Sequence, residues 1–145
     1  MTASPNLTDR SSFQHWVTEN VRYGDTDRQG HVNNAVYATY SESGRATFLR
    51  SPHLPAFPIG SLVALVSVTI DFHAEVFWPN KVDIGTTVLS VGRTSVAFGQ
   101  GMFTDDGCVA TSRNTVVLID QKTRRPKLLP EEYRRALAES THQDG

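Results

Sequence analysis

Cysteine is almost missing: Cys108 stands alone among 145 residues. A single thiol closes no intrachain disulfide and builds no thiolate metal site. In its strand-like run, Cys108 reads as a small core residue. Long apolar runs are missing as well. No stretch reaches the ~18–20 residues that a membrane-spanning helix needs, and the opening MTASPNLTDRSS has no apolar signal core. The expectation is a cytoplasmic protein with no membrane association. Neither charge dominates: 14 basic against 15 acidic residues leave a net charge of -1, which makes no electrostatic case for binding nucleic acid. The segment GSLVALVSV (60–68) lacks the lysine and second glycine of a phosphate loop. No G-x-S-x-G nucleophile turn occurs. His31 lies near Asp25 and Asp27, but His15, His53, His73 and His142 add no paired spacing, so neither a metal nor a cofactor is expected.

What is present suits one folded domain. Apolar residues make up 39% of the chain and charged residues 20%, enough for a core at this length. Residues 1–12 read as a disordered lead-in, 13–140 as a single domain, and 141–145 as a disordered tail. A first strand runs through FQHWVTENVRYGD, anchored by Trp16, Val21 and Tyr23. From Ala35 to Arg50 the period becomes helical, with Val36, Tyr37, Tyr40 and Phe48 on its apolar side and Glu42 and Arg45 as an i,i+3 pair. Ala35, Ala38, Ser41, Gly44 and Ala46 are small, as in a helix pressed closely on several sides. The proline-rich SPHLPAFPIG (51–60) is a loop. Four strand-like runs follow at 62–77, 81–91, 94–104 and 107–119, with tight reversals at VGRTS and TDDGC. The first of these is long for one strand and predicts a bend or bulge near Ala74–Glu75. LPEEYRRALAES opens a terminal helix with Pro130, Glu131 and Glu132. An α+β domain results, with open sheet edges that favour self-association as a homodimer or homotetramer.

The densest polar stretch is YGDTDRQGHVNNAVY, residues 23–37. It holds Asp25 and Asp27 two apart, then Gly30, His31, Asn33 and Asn34, at a strand-to-helix junction. Asn33 or Asn34 suits the N-cap. A helix start presents unpaired N–H groups and a positive dipole end, which polarise a carbonyl. A carboxylate a few residues earlier reaches the same carbonyl carbon, as nucleophile or as base for water. The pair is a minimal kit for hydrolysing an activated acyl group such as a thioester. Spacing alone equally allows all four residues to serve only as caps and turn formers.

The segment VRYGDTDRQGHVNNAVYATYSESGR carries R-Y-x-D-T-D-x-x-G-H-V-N-N followed by Y-x-x-Y-x-E-x-x-R. It resembles the signature of the hotdog-fold acyl-CoA thioesterases of the 4-hydroxybenzoyl-CoA thioesterase type. VTIDFHAEVFWPNKVDIGTTVLSVGRTSVAF and RRPKLLPEEYRRAL resemble that family's sheet and its ending. The resemblance implies a curved antiparallel sheet wrapped around one long central helix, and hydrolysis of an acyl-CoA substrate. It implies Asp27 as the catalytic carboxylate and the backbone N–H of Asn34 as the carbonyl-polarising group. One branch of the family has histidine where this chain has Asn34. His31 is a supporting candidate, and Asp25 shapes the turn. VGRTS is similar to the family turn that meets the coenzyme A phosphates, which brings in Gly92, Arg93, Thr94 and Ser95. Two other readings use the same fold. A hotdog hydratase needs Asp and His separated by four residues; Asp27 and His31 are separated by three, Asp25 and His31 by five. A non-catalytic acyl-CoA binder does not need the Asp27 carboxylate.

Overall fold

The computed structural model describes residues 4–141. A five-stranded antiparallel sheet carries two helices. The strands are β1 (His15–Asn20), β2 (Ser61–Phe72), β3 (Lys81–Val91), β4 (Ser95–Thr104) and β5 (Gly107–Asp120). The helices are α1 (Val36–Leu49) and α2 (Glu131–Glu139). Strand order is β1-β3-β4-β5-β2. Every connection from β3 to β5 is a hairpin, as the reversals at VGRTS and TDDGC require. The polypeptide bends at Ala74, where β2 has already ended, and β2 also has a bulge between Leu65 and Ser67.

Helix α1 packs over β1, β3 and β4. Tyr37, Tyr40, Ser41, Gly44, Arg45, Phe48 and Leu49 face inward. Gly44 sits where α1 comes nearest the sheet. A Cβ there would lie 2.8 Å from Ile84 Cγ2 and 3.0 Å from Thr86 Oγ1. Both neighbours are β-branched and stiff, so the contact outweighs the ~1 kcal/mol that glycine costs in a helix. Below it lies a buried polar network. Ser41 Oγ donates to Gln100 Oε1; Gln100 Nε2 donates to Ser41 O at 2.9 Å and Thr86 Oγ1 at 3.0 Å; Asn114 Nδ2 donates to Gln100 Oε1 at 2.8 Å. Gln100 is fully paired, while Asn114 Oδ1 is left without a partner among the described residues; the bonds that are made fix the helix at one place on its sheet. Helix α2 closes the far end: Tyr133 donates to Leu49 O at 2.6 Å, satisfying a carbonyl that the end of α1 leaves free. Burial pushes the Tyr133 hydroxyl up to about 12, against the pull of Arg50.

Two expectations change. Residues 4–12 are not a disordered lead-in. Leu7 and Phe13 are buried with Phe103 on the sheet face away from α1, over Gly85, Gly99 and Gly101. The composition of the segment is polar, but its one leucine finds a trough that glycines from two other strands create. The sheet covers one side of α1, while Ala38, Thr39, Glu42 and Thr47 remain exposed on the other. At the C-terminus Thr141 bridges Val88; residues 142–145 lie outside the described ones, as do 1–3.

Candidate active site

Two nested turns precede α1, and they give the two aspartates different environments. The first is a 3-10 turn over Tyr23–Asp25. The Asp25 side chain is 2% exposed. Its Oδ2 accepts from Arg22 N at 2.9 Å and from the Tyr40 hydroxyl at 2.9 Å; its Oδ1 accepts from Arg22 Nε at 3.1 Å and Nη2 at 3.0 Å. Burial pushes the carboxyl up, but the donors from Arg22 and Tyr40 outweigh it and hold Asp25 below its ordinary 3.8. The Tyr40 hydroxyl moves the other way, above its ordinary 10.0, through burial and its bond to Asp25. Both oxygens of Asp25 are fully engaged in tying the turn to α1.

The second turn runs from Asp27 to Gly30. Gly30 N donates to Asp27 O at 3.0 Å, and Gly30 takes φ +87°, which favours glycine. Asp27 N donates to His31 O at 2.9 Å, so the two residues face each other across the turn. Asp27 Oδ1 accepts from Gln29 N at 2.9 Å. Asp27 Oδ2 lies 3.4 Å from His31 Nδ1; the two side chains are 29% and 17% exposed. Among the described residues Oδ2 has no other partner. On the other side of the ring, His31 Nε2 lies 2.7 Å from Gln29 Oε1 and 3.8 Å from Glu75 Oε1. Phe77 stands edge-on to the imidazole at 6.1 Å.

The helix starts two residues beyond Asn34. Ala35 holds the cap position and makes no side-chain cap bond. Asn33 caps from one turn outside: its Oδ1 accepts from Ala35 N at 3.0 Å and its carbonyl from Val36 N at 2.9 Å. The N–H of Asn34 has no partner among the described residues. Asn34 lines a cleft of about 360 Å3 together with His31, Tyr37, Phe72, His73 and Glu75. The structure therefore gathers Asp27, His31 and Asn34 at one corner. A larger cavity, of about 840 Å3, between β1, the end of α1 and α2 contains none of the residues of the 23–37 turns. Among the described residues no three His, Cys, Asp or Glu side chains group to hold a metal ion.

Gly92, Arg93, Thr94 and Ser95 are not at this corner. They close the β3–β4 hairpin, with Gly92 N donating to Ser95 O at 2.8 Å. Their carbonyls are taken from outside by Leu118 N, Leu129 N and Arg134 Nε, and the Arg93 side chain is exposed. Asp27 lies beyond the Lys81 end of β3, since Asn20 pairs with Lys81. The hairpin lies beyond the Val91 end, on the order of 30 Å away along the strand. The Glu42–Arg45 lock within α1 is not formed either, because no carboxylate lies within 4 Å of Arg45 among the described residues. Sequence reasoning missed Gln29, Glu75 and Phe77 around His31. Phe77 arrives because its backbone bridges His31, a long-range pairing with no local signal.

Comparison with known proteins places the chain in a family. The family model described as the thioesterase-like superfamily matches residues 21–137. The chain belongs to the thioesterase-like superfamily. The acyl-CoA thioester hydrolase YbgC of Escherichia coli is 28% identical over 114 residues, 76% of this chain and 85% of that protein. The PA5185 protein of Pseudomonas aeruginosa superposes with a TM-score of 0.82 at 27% identity, over 92% of this chain and 95% of that one. A Thermus thermophilus thioesterase complexed with coenzyme A and zinc superposes with a TM-score of 0.76 at 25% identity, over 86% and 98%. In this thioesterase the fold is the α+β hotdog sheet with two helices, and its class of chemistry is thioester hydrolysis.

Proposed function

We propose that this thioesterase hydrolyses acyl-CoA thioesters at the Asp27 corner. The carrying observation is that one Asp27 carboxylate oxygen faces only His31 among the described residues, and that His31 and Asn34, whose N–H has no partner among them, line one cleft. The thioester carbonyl oxygen sits at the start of α1, where Asn34 N–H and the helix dipole stabilise the oxyanion. Asp27 attacks the carbonyl carbon, or takes a proton from the attacking water. The tetrahedral intermediate collapses with loss of the CoA thiolate, which needs no strong acid to leave; where Asp27 itself attacks, water then hydrolyses the acyl–Asp27 anhydride, releasing the free acid and restoring the carboxylate. His31 faces Asp27 with Nδ1 and Gln29 Oε1 with Nε2, and the one N–H of its neutral ring serves one of these two acceptors. Release of CoA thiol from an acyl-CoA, against mere binding of it, separates this reading from a non-catalytic acyl-CoA binder.

The same reading requires a second copy of the chain. Among the described residues strand β2 bonds only to β5, which leaves its outer edge free of them. Residues paired across strands share a face, so Val68, Ile70 and Phe72 look toward the α1 side, as do their partners Asn114, Ser112 and Ala110. Helix α1 reaches Ser112 and Asn114 through Ser41 and Phe72 through Tyr37, but Val68 stays 39% and Phe72 49% exposed. Antiparallel pairing of two β2 edges joins the sheets, covers this face and encloses α1. It also sets the Ser61 end of one β2 beside the Phe72 end of the partner. The Gly92–Ser95 hairpin lies at the Ser61 end and the Asp27 corner at the Phe72 end, so the dimer brings each hairpin toward the other subunit's corner. At micromolar concentration a sedimentation mass near twice 16.0 kDa, or four times it, is expected; a mass of one chain contradicts the arrangement. Arg93→Ala is expected to raise KM for full acyl-CoA roughly 2- to 5-fold with kcat unchanged, as for an exposed ion pair made equally in ground and transition states. On an acyl-pantetheine lacking the nucleotide, mutant and parent should be alike. Equal KM on full acyl-CoA leaves Arg93 an ordinary surface residue.

A further inference from the structure

Arg45 is the unexplained charge of the molecule. It is 7% exposed, and the one hydrogen bond that its side chain makes among the described residues is Nη1 to Ser41 Oγ at 3.2 Å. A guanidinium has five N–H donors and stays charged, and a buried charge without a counter-charge is destabilising. Burial pushes its pKa down, and the charge of Glu42 works the other way from beyond 4 Å. Its position in the fold says where a partner can come from. Along α1, Tyr37 meets Phe72 at the end of β2. Ser41, one turn later, meets Ser112, which pairs with Ile70. Arg45, one turn further on, reaches the level of Val68 and the middle of the twelve-residue β2. Residues 38, 41, 42 and 45 share that side of the helix by their spacing. Of them Glu42 is exposed and acidic, whereas the β2 face below offers Val68, Ile70 and Phe72 and no acid.

We propose that Glu42 of the partner subunit completes Arg45. This rests on the β2-to-β2 dimer of the proposed function. A two-fold axis through the middle of the paired β2 strands passes at the level of Arg45, so the contact is reciprocal: each Arg45 meets the partner's Glu42. Two cations and two anions then surround the axis with no net charge. The pair ties assembly to the Ser41–Gln100–Asn114 network, which holds α1 and hence the Asn34 N–H in place.

The test is a charge swap between subunits, read by sedimentation and by thiol release. Glu42→Arg alone sets four cations around the axis, and Arg45→Glu alone sets four anions, so each variant should be monomeric at concentrations where the parent is dimeric. Mixed one to one, a chain with two cations faces a chain with two anions, and a heterodimer with restored activity should form. If only the double variant E42R/R45E within one chain restores assembly, the pair lies within a helix and the proposal is overturned. Should Arg45→Glu not fold, Glu42→Gln decides alone. Glu42 is exposed in the single chain, so its loss leaves the fold intact, and the dimer dissociation constant should rise at least ~30-fold, as for one partner of a buried charge pair. An unchanged constant, with a dimeric parent, sinks this proposal and leaves the dimer standing; a monomeric parent sinks the dimer itself.

Discussion

Replacing Asp27 by asparagine is expected to lower kcat by ~10²- to ~10⁴-fold, the range for removing a group that moves a proton in the transition state. That range corresponds to about 3–5 kcal/mol of barrier. The variant should keep the fold. Asp27 is at the surface end of its turn, with one oxygen on Gln29 N and the other on His31, and an asparagine side-chain oxygen still accepts from Gln29 N. An amide is neither a nucleophile nor a base at neutral pH, so the chemistry should go while the turn stays. KM should change little, since the proposed coenzyme A contact is at the Gly92–Ser95 hairpin. Steady-state kinetics with circular dichroism on the same preparation checks both halves. A variant that retains more than a tenth of the parent kcat takes Asp27 out of the reaction.

Asp25→Asn should show the reverse balance: a large loss of stability and a smaller loss of activity. Its carboxylate receives four hydrogen bonds, three from Arg22 and one from Tyr40. An asparagine turns an N–H2 group toward donors and removes the charge opposite Arg22. Breaking a buried charge pair costs ~3–5 kcal/mol; Arg22 is largely in solvent, so ~2–4 kcal/mol is the expected scale, roughly 10 °C in Tm for a chain of this size. The pH dependence has a definite sign. The folded carboxyl lies below 3.8, so its contribution is complete above about pH 5 and is lost as pH falls below 3.8 toward the folded value. Parent and variant should thus differ most near neutrality and converge in acid. If Asp25→Asn instead loses more kcat than Asp27→Asn at equal stability, the catalytic carboxylate has been assigned to the wrong aspartate.

The different environments of these two aspartates mark the limit of what could be read from residues alone. Spacing places Asp25 and Asp27 together but cannot divide them, because the division comes from Tyr40, fifteen residues later and on another element. Strands β3 to β5 and both helices were legible within a few residues, since their periods and punctuation are local. Strands β1 and β2 were read too long: β1 stops at Asn20, with Tyr23 exposed in a 3-10 turn, and β2 stops at Phe72. Gly44 was legible as an oddity and became explicable only with Ile84 and Thr86 beside it. The lead-in was misread for the same reason: Leu7 is a lone apolar residue in a polar segment, and the trough that takes it belongs to strands some ninety residues on. The missing Glu42–Arg45 contact is of this kind too. Helical spacing permits it, yet Arg45 turns inward toward Ser41 instead.

The most direct test is thiol release from a panel of short, long, branched and aromatic acyl-CoAs, with and without a chelator. The account predicts catalytic turnover of at least one of them by the parent, unchanged by the chelator and lost in Asp27→Asn. No turnover across the panel, or turnover that a chelator abolishes and a divalent ion restores, would contradict it.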